Sequence, residues 1–402
     1  MTIKRVRVQD LKPGMFVHDL DCGWLQHGFF LQRFPIRNHR QIQKIKEHGL
    51  REVYIDTVKG ADVVGAPTQA QIQHTFERKL RQTADHGAVL QPAQVSMREE
   101  AAAAKRILGE ASQVVDTLLQ DVRMGRQVDP ATAVPLVREI HDSVLRNQGA
   151  LVSLCRIKEA DAYTFKHSVS ICALMVSFAH ALGWDAAAAQ EAGMGGLLHD
   201  LGKMRIPNEI LNKPGKLTEQ EFAVMKTHSA LGADMLQGAE GMPDLAHRIV
   251  LEHHERMSGG GYPRGLSGDE ISLAGRMAAV VDVYDALTSN RVYHHGLEPT
   301  EVLRKLLEWS GSHLDGELVQ RFIRTLGIYP VGSLVRLSSD RLAVVLEQGE
   351  NLLRPTVRVV YNITYGLPVR PRDLPLAQAT EEIVDFEEPK AWNLDPMAFL
   401  AP

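Results

Sequence analysis

The sequence predicts a mainly α-helical protein, with a helical bundle at its centre, a small α+β unit before it and a short β appendage after it. Apolar residues recur at helical spacing almost without interruption from about residue 130 to residue 326, a pattern typical of packed amphipathic helices. Within residues 1–66, strand-like alternation flanks one short helical pattern. After residue 333, three apolar runs separated by polar turns predict strands.

The composition is that of an ordinary globular protein, since 44% of the 402 residues are hydrophobic and 23% are charged. This length predicts about two to three domains. The formal net charge of −4 gives no reason to expect a nucleic-acid polymer or an anionic membrane as partner. The first residues do not resemble a signal peptide, and the longest apolar stretch, about 171–182, is too short for membrane insertion. The three cysteines, Cys22, Cys155 and Cys172, are widely spaced and suggest no disulfide framework. Free thiols of this kind favour a protein of the reducing cytoplasm.

Residues 1–66 are expected to form a small α+β domain. A helix is predicted from about Asn38 to His48, where Gly49 ends it, and Val53 and Ile55 alternate in the strand that follows. No chemistry can be inferred here, and a sensory or regulatory role is the most that this part suggests. Three aromatic residues are expected in the core of this domain rather than on a ligand surface: Trp24, Phe29 and Phe30.

Residues 67–128 are interpreted as a linker and a connecting helix. The stretch 58–95 is rich in Gln, Ala and Thr with little periodicity, which is typical of a linker, either irregular or part-helical. An apolar seam then follows at coiled-coil spacing. It lasts only about two heptads, which is short for a free-standing coiled coil, so packing against the next domain is at least as well supported as a homodimer through the 100–125 helix. The seam residues are Leu108, Ala111, Val115, Leu118 and Val122.

Residues 129–328 are expected to form the helical domain. Its first helix is expected to begin with Asp129 as the N-cap and Pro130 as the first helical residue. The last part, residues 329–402, is expected to hold a small β appendage followed by a loose acidic tail over 381–388. Helices are predicted at about 130–148, 151–182, 185–199, 218–236, 243–256, 271–289, 299–309 and 315–326.

Histidines and aspartates interrupt the apolar faces of this helical block. His253 and His254 follow Ile249 and Val250 by four residues each, which directs both imidazoles toward the core side of one helix. Asp282 follows the apolar run 277–281, where an unpaired carboxylate would be costly. Several helices that direct such groups inward are hard to stabilise without cations. Further residues of this kind are His167, His199, Asp200 and His228.

Taken in order, these motifs resemble the HD-GYP family, bacterial phosphodiesterases of the HD superfamily that degrade cyclic di-GMP. The resemblance covers about residues 140–326 and implies a helical-bundle HD-type metallohydrolase core. The opening stretch 5–15 also resembles an uncharacterised domain that often precedes HD-GYP units. The matching positions are His167, His199-Asp200-Leu-Gly-Lys203, His228, His253-His254-Glu-Arg-Met-Ser-Gly-Gly-Gly261-Tyr262-Pro263 and Asp282-Val-Tyr-Asp285.

The resemblance implies two metal ions that share Asp200. One ion would be held by His167, His199, Asp200 and Asp282, and the other by Asp200, His228, His253 and His254. A metal-bridging hydroxide would attack phosphorus while the cations neutralise developing charge. Asp200 and Lys203 are thus the expected catalytic residues, and Asp285 would orient a metal ligand. Substrate contacts are expected from Lys203, Gly261, Tyr262, Pro263, Arg291 and His294.

Three positions depart from the family pattern. Tyr163 replaces a glutamate that often adds a ligand for a third metal, Ser258 replaces an aspartate, and His294 replaces a lysine. A phenol with a pKa of about 10 is a poor anionic ligand, so we expect two metals rather than three. Iron or manganese is favoured, while zinc, nickel or cobalt would also suit these ligands.

The expected function is therefore hydrolysis of cyclic di-GMP to linear pGpG, with GMP as a further product. Because no residue reads guanine unambiguously, a hydrolase for another cyclic dinucleotide or guanine nucleotide stays an alternative. A second alternative is a non-enzymatic module that binds cyclic di-GMP and signals to protein partners. A purely structural bundle would leave the inward His and Asp residues unexplained.

Overall fold

The computed structural model describes residues 2–20, 33–47, 50, 52–85, 94–156, 163–289 and 296–400. Contacts divide the chain into two compact units, residues 1–81 with 216–220 and residues 82–215 with 221–402. None of the described helices is both long and apolar enough to span a membrane.

The first part of the first unit, up to residue 56, contains a four-stranded antiparallel sheet and a helix. Its elements are β1 (Ile3–Arg7), β2 (Phe16–Asp19), β3 (Phe34–Pro35), α1 (His39–Glu47) and β4 (Glu52–Asp56), and the sheet order is β1-β4-β2-β3. The predicted strand is confirmed, and Val53 and Ile55 of β4 are fully buried beside Ile45 of α1. The predicted alternation does not extend to burial, because Tyr54 and Asp56 are buried as well. The predicted core aromatics Trp24, Phe29 and Phe30 lie outside the described residues.

The stretch interpreted as a linker contains a 17-residue helix, α2 (Gln69–Asp85). The long α3 (Met97–Arg123) follows and begins with a capping box between Ser96 and Glu99. Four of the five seam residues predicted on α3 are buried in the apolar core of the second unit, and Leu108 packs against this core while partly buried. This confirms packing within the chain. A homodimer through this helix stays a prediction and would have to use another face.

Eleven more helices follow in the described part of the second unit, so the mainly α prediction is confirmed. The segment 218–236, predicted as a single helix, is divided into two. The described parts of the segment 151–182 are helical, and residues 157–162 between them lie outside the described residues. The helices are α4 (Val134–Arg146), α5 (Gln148–Arg156), α6 (Tyr163–Ala181), α7 (Ala186–Leu198), α8 (Asn208–Leu211), α9 (Glu219–Met225), α10 (His228–Leu236), α11 (Asp244–Glu252), α12 (Leu273–Thr288), α13 (Pro299–Trp309) and α14 (Gly316–Leu326).

The C-terminal part forms a five-stranded antiparallel sheet of order β8-β7-β6-β5-β9. The prediction of a loose acidic tail was wrong. The last strand of the chain lies within this tail and pairs with the first strand of the same sheet. The two glutamates just before this strand also form ion pairs with arginines, Glu381 with Arg341 at 2.5 Å and Glu382 with Arg354 at 2.7 Å. The strands are β5 (Leu334–Leu337), β6 (Arg341–Glu347), β7 (Thr356–Asn362), β8 (Leu367–Pro375) and β9 (Ile383–Phe386).

Candidate metal centre

Five helices direct histidine and aspartate side chains to one place in the second unit. The groups fall into two sets, and within each set the ligand-type atoms lie within 4.8 Å of one another. The first set is His167 in α6, His199 just after α7, and Asp282 in α12. The second set is Asp200, His228 at the start of α10, and His253 and His254 after α11. All seven predicted ligand residues are therefore brought together.

The carboxylate of Asp200 lies between the two sets. Its Oδ2 atom is 3.3 Å from Nε2 of His199 and 3.6 Å from Nε2 of His167. Its Oδ1 atom is 3.4 Å from Nε2 of His228 and 4.0 Å from Nε2 of His253. One oxygen thus faces each set, which is the arrangement that a bridging carboxylate requires.

The imidazole rings are oriented by hydrogen bonds on their outer nitrogens. Nδ1 of His199 donates to the carbonyl of Gly196 at 2.8 Å, and Nδ1 of His253 donates to that of Val250 at 2.9 Å. His228 makes the same kind of bond to the Met225 carbonyl at 2.8 Å. Because a carbonyl only accepts, Nδ1 carries the proton and a neutral ring presents the lone pair of Nε2 to the centre.

The residues present fit divalent cations. Nε2 of His167 is 3.2 Å from Nε2 of His199, and Nε2 of His228 is 3.4 Å from that of His253. Oδ1 of Asp200 is buried and has no hydrogen-bond partner in the described part of the chain. Lone pairs that face one another and a carboxylate oxygen without a donor would be costly inside a protein, and a cation satisfies both. Mixed imidazole and carboxylate groups are also the donors that divalent transition metals accept.

The protonation of these groups also favours metal binding. Burial lowers the pKa of His253 to about 3 and that of His228 to about 4, so both rings are neutral at pH 7. Burial raises the pKa of the Asp200 carboxyl, but Lys203 and His199 outweigh it and hold that pKa well below its usual value. His228 and His253 therefore present neutral imidazoles and Asp200 an ionised carboxylate, the forms that bind metals. At His199 burial lowers the pKa, but the neighbouring Asp200 and Asp282 carboxylates outweigh it and raise the pKa above its usual value.

A pH dependence of stability follows for the metal-free protein. The pKa of His228 is about 4 and that of His253 about 3 in the folded chain, against about 6.5 when unfolded. Between these values only the unfolded chain takes up protons, so the free energy of unfolding should fall as the pH drops from 6.5 toward 4. Urea unfolding of chelator-treated protein at pH 7 and pH 5 measures this. His228→Gln should reduce the difference, and equal stability at both values would contradict the expectation.

Lys203 lies beside the bridging carboxylate. Its Nζ atom is 2.5 Å from Oδ2 of Asp200, and its side chain is 31% exposed. The ammonium is thus held next to the centre and remains partly open to solvent. Such a cation can contact both Asp200 and an incoming anion.

The glycine-rich loop predicted to contact substrate is folded over His254. The backbone N–H of Tyr262 donates to the His254 carbonyl at 3.2 Å, and the two ring centroids are 4.6 Å apart. The buried carboxylate of Glu255 accepts from the backbone N–H groups of Arg264 at 2.8 Å and Leu266 at 3.0 Å. Pro263 follows Tyr262 through a cis peptide bond within this loop.

Two neighbouring glycines of this loop give a matched test. A Cβ atom on Gly261 would lie 2.4 Å from the backbone nitrogen of Arg256, whereas one on Gly260 would have no neighbour closer than 3.6 Å. Gly261→Ala should displace Tyr262 and raise KM for a nucleotide substrate by about tenfold or more, the effect of a small misplacement of binding groups. Gly260→Ala should leave KM unchanged. Steady-state kinetics of both variants measure this, and equal KM values would contradict it.

Asp285 orients His167, as predicted. Its Oδ2 atom is 2.6 Å from Nδ1 of His167, and its Oδ1 atom accepts a hydrogen bond from Ser170. Ser170 was not singled out from the sequence, although its place one turn after His167 was the available signal. Glu255, the anchor of the glycine-rich loop, was also missed.

The remaining positions with a predicted role are Tyr163, Arg291 and His294. Tyr163 is the first residue of α6, one turn before His167, which is the register expected from the sequence. His180, which belongs to none of the motifs and is expected to be structural or solvated, lies with its Nε2 atom 3.1 Å from Nε2 of His141. The predicted substrate residues Arg291 and His294 lie outside the described residues.

Comparisons with known proteins agree with these motifs. Residues 156–318 match the family model of the HD domain, and residues 3–133 match a domain of unknown function, DUF3391. The chain is 42% identical over 395 residues to the protein named cyclic di-GMP phosphodiesterase PA4108 of Pseudomonas aeruginosa, covering 97% of this chain and 94% of that protein.

Two Vibrio cholerae proteins match over a shorter part. One, named cyclic di-GMP phosphodiesterase, is 44% identical over 132 residues, which cover 31% of this chain and 27% of that protein. The other, named 3'3'-cGAMP-specific phosphodiesterase 2, is 40% identical over 124 residues, which cover 31% of this chain and 24% of that protein. The similarity to the Pseudomonas protein covers nearly the whole chain, and all seven metal-type residues are present. The chain therefore belongs to the HD-GYP family of HD-domain proteins, with a DUF3391 domain before its HD domain.

Proposed function

We propose that this protein is a metal-dependent phosphodiesterase that hydrolyses cyclic di-GMP to linear pGpG, with GMP as a further product. The observation that carries the proposal is the position of Asp200, whose two carboxylate oxygens face two separate sets of imidazole and carboxylate groups. The full-length relative from Pseudomonas bears the name of this activity. An intact set of metal-type residues favours an enzyme over a module that only binds the nucleotide.

Two divalent ions would be held by the seven residues already described. His167, His199 and Asp282 would hold one ion and His228, His253 and His254 the other, with Asp200 shared between them. When bound, such ions supply Lewis-acid stabilisation of the phosphate and lower the pKa of water. Asp285 would keep the Nε2 atom of His167 directed inward through its 2.6 Å hydrogen bond.

The substrate would be oriented by residues around the centre. Lys203 is partly exposed beside Asp200 and would bind a non-bridging phosphate oxygen as a point charge. Tyr262 would offer its ring face to a base, while Gly261 and Pro263 shape the loop that carries it. Arg291 and His294 complete the proposed set, Arg291 as a forked donor to phosphate.

Two metals rather than three are proposed because Tyr163 begins α6 where a glutamate ligand would stand. Mixed imidazole and carboxylate ligands suit iron, manganese, zinc, nickel or cobalt, and the resemblance to the HD-GYP family favours iron or manganese among them. The metal identity is set by availability as much as by these ligands.

The wider organisation is also a proposal. Residues 1–66 would form a sensory or regulatory domain, 67–128 the connecting segment, 129–328 the catalytic domain and 329–402 the β appendage. The protein would act in the cytoplasm, as its three widely spaced cysteines suggest, without nucleic-acid or membrane partners. Signalling proteins are proposed partners, and a second copy of the chain would bind through the 100–125 helix.

A second candidate is hydrolysis of another cyclic dinucleotide. The observation in its favour is the similarity to the Vibrio protein named as specific for 3'3'-cGAMP. Both substrates share a ring of two phosphodiesters and differ in one base. Discrimination between them would depend on contacts to that base, which Tyr262 alone does not provide, because every base has an aromatic face.

One assay tests the proposal. Full-length protein loaded with Mn²⁺ or Fe²⁺ under reducing conditions is incubated with cyclic di-GMP, 3'3'-cGAMP and GTP, and the products are separated by chromatography. We expect pGpG from cyclic di-GMP at a higher kcat/KM than any product from the others. Faster turnover of 3'3'-cGAMP would favour the second candidate. Binding of cyclic di-GMP without turnover of any nucleotide would favour the non-enzymatic module.

A further inference from the structure

A cavity lies in the larger unit, and none of the seven residues of the metal centre lines it. Its volume is about 400 Å³, within the range of pockets that hold small organic ligands. Its walls come from the junction of α4 and α5, from α6, from the end of α14 and from β6 with the loop that follows. All of its lining residues belong to the described part of the chain.

The cavity contains a cation without a protein partner. Arg324, in the last turn of α14, is half-buried and lines the cavity. Among the described residues it has no carboxylate or other hydrogen-bond partner. By contrast Arg321, on the same helix, pairs with Glu317 at 3.1 Å. A partly buried guanidinium without an anion is costly, and the site is therefore suited to an anionic ligand.

The carboxylate on the wall of the same cavity already has a partner. Oε1 of Glu347 accepts from the backbone N–H of Met97 at 2.6 Å. Met97 is the first residue of α3, where unpaired N–H groups and the positive end of the helix dipole favour a negative charge. Glu347 therefore stabilises the beginning of α3 and does not neutralise Arg324.

The rest of the wall is neutral. Two polar residues bind each other, since Ser177 donates to Gln148 at 3.1 Å, and Gln148 donates to the Thr325 carbonyl at 3.0 Å. The apolar part of the wall is formed by Leu174, Val331, Leu346 and Leu352. A cavity with one free cation and apolar walls matches a ligand with one anionic group and an apolar body.

We propose that this cavity binds a small organic anion, with its carboxylate on Arg324 and its apolar body against Leu174, Leu346 and Leu352. The site is separate from the proposed nucleotide site but shares two helices with it. Leu174 lies on α6, which carries His167, and Tyr284, another lining residue, lies on α12 between Asp282 and Asp285. A ligand here would contact both helices without contacting the metal-type residues.

Calorimetric titration of the full-length protein tests the proposal. The probe is 4-phenylbutyrate, and its amide, 4-phenylbutyramide, has nearly the same shape without the charge. The acid should bind at least about tenfold more tightly than the amide, since a charge-assisted bond to Arg324 is lost in the amide. The acid should also raise the melting temperature of the protein. Equal affinities, or no binding of the acid at millimolar concentration, would overturn the proposal.

Three variants locate the site. Arg324→Met keeps an unbranched side chain without the charge and should abolish the preference for the acid, while Arg321→Met should retain it. Val152→Phe, which narrows the cavity from another wall, should weaken both compounds by a similar factor. Melting temperatures confirm that each variant is folded. Unchanged binding of the acid by folded Arg324→Met and Val152→Phe would show that the probe binds elsewhere and would overturn the proposal.

Discussion

Replacing Asp200 with alanine is expected to abolish hydrolysis of cyclic di-GMP and to release metal from both positions. The two oxygens of this carboxylate face different sets of groups, Oδ2 at 3.3 Å from His199 and Oδ1 at 3.4 Å from His228. Its removal therefore deletes a ligand of each ion. It also removes the negative charge that lies between the imidazoles of the two sets. We expect kcat to fall by at least about 10³-fold.

The measurement combines kinetics with elemental analysis of the purified variant. His247→Ala is the control, because His247 lies on α11, the helix just before His253 and His254, but belongs to neither set. The control should keep both its metal content and its rate. Near-normal turnover by the Asp200 variant would refute the assignment of two metals to this carboxylate.

Gly202→Ala is expected to have a comparable effect without removing any ligand. A Cβ atom at this position would lie 1.9 Å from the carbonyl oxygen of His228 and 2.5 Å from the backbone nitrogen of Gly232. The turn after Asp200 would have to move away from α10, and His228 would move with that helix. Overpacking of this kind costs about 1–3 kcal/mol of stability. The ion held by His228 should be lost first.

Metal content and urea unfolding of the Gly202→Ala variant provide the measurement. The matched control is Gly109→Ala on α3, where an added Cβ atom would meet nothing within 4 Å. Alanine in a helix is favoured over glycine, so the control should be more stable by about 0.5–1 kcal/mol. Full metal content in the Gly202 variant would mean that this close approach does not position His228.

The seven metal-type residues could be predicted from the sequence because the motifs that contain them are local. His199 and Asp200 are adjacent, and so are His253 and His254, and each pair follows directly on an apolar helix. The direction of each side chain follows from helical periodicity. The two-sided position of the Asp200 carboxylate was expected only from the family resemblance, since it depends on helices far apart in the sequence.

Other features depend on contacts that the sequence does not display. In the sequence, β9 resembles part of a polar tail because glutamates flank it on both sides. It belongs to the sheet because it pairs with β5 and because ion pairs such as Arg341–Glu381 form beside it. The hydrogen bond between Ser170 and Asp285 joins residues on α6 and α12 and leaves no local signal. The division of the segment 218–236 at Lys226 and Thr227 was likewise hidden by continuous helical spacing.

The central claim is that Asp200 bridges two metal ions, and anomalous X-ray scattering tests it most directly. Crystals of protein purified without chelator would be measured above and below the absorption edges of iron and manganese. We expect about two anomalous peaks per chain, one beside His167 and His199 and one beside His228 and His253, with Asp200 between them. A single peak, or a third fully occupied peak next to Tyr163, would contradict the claim.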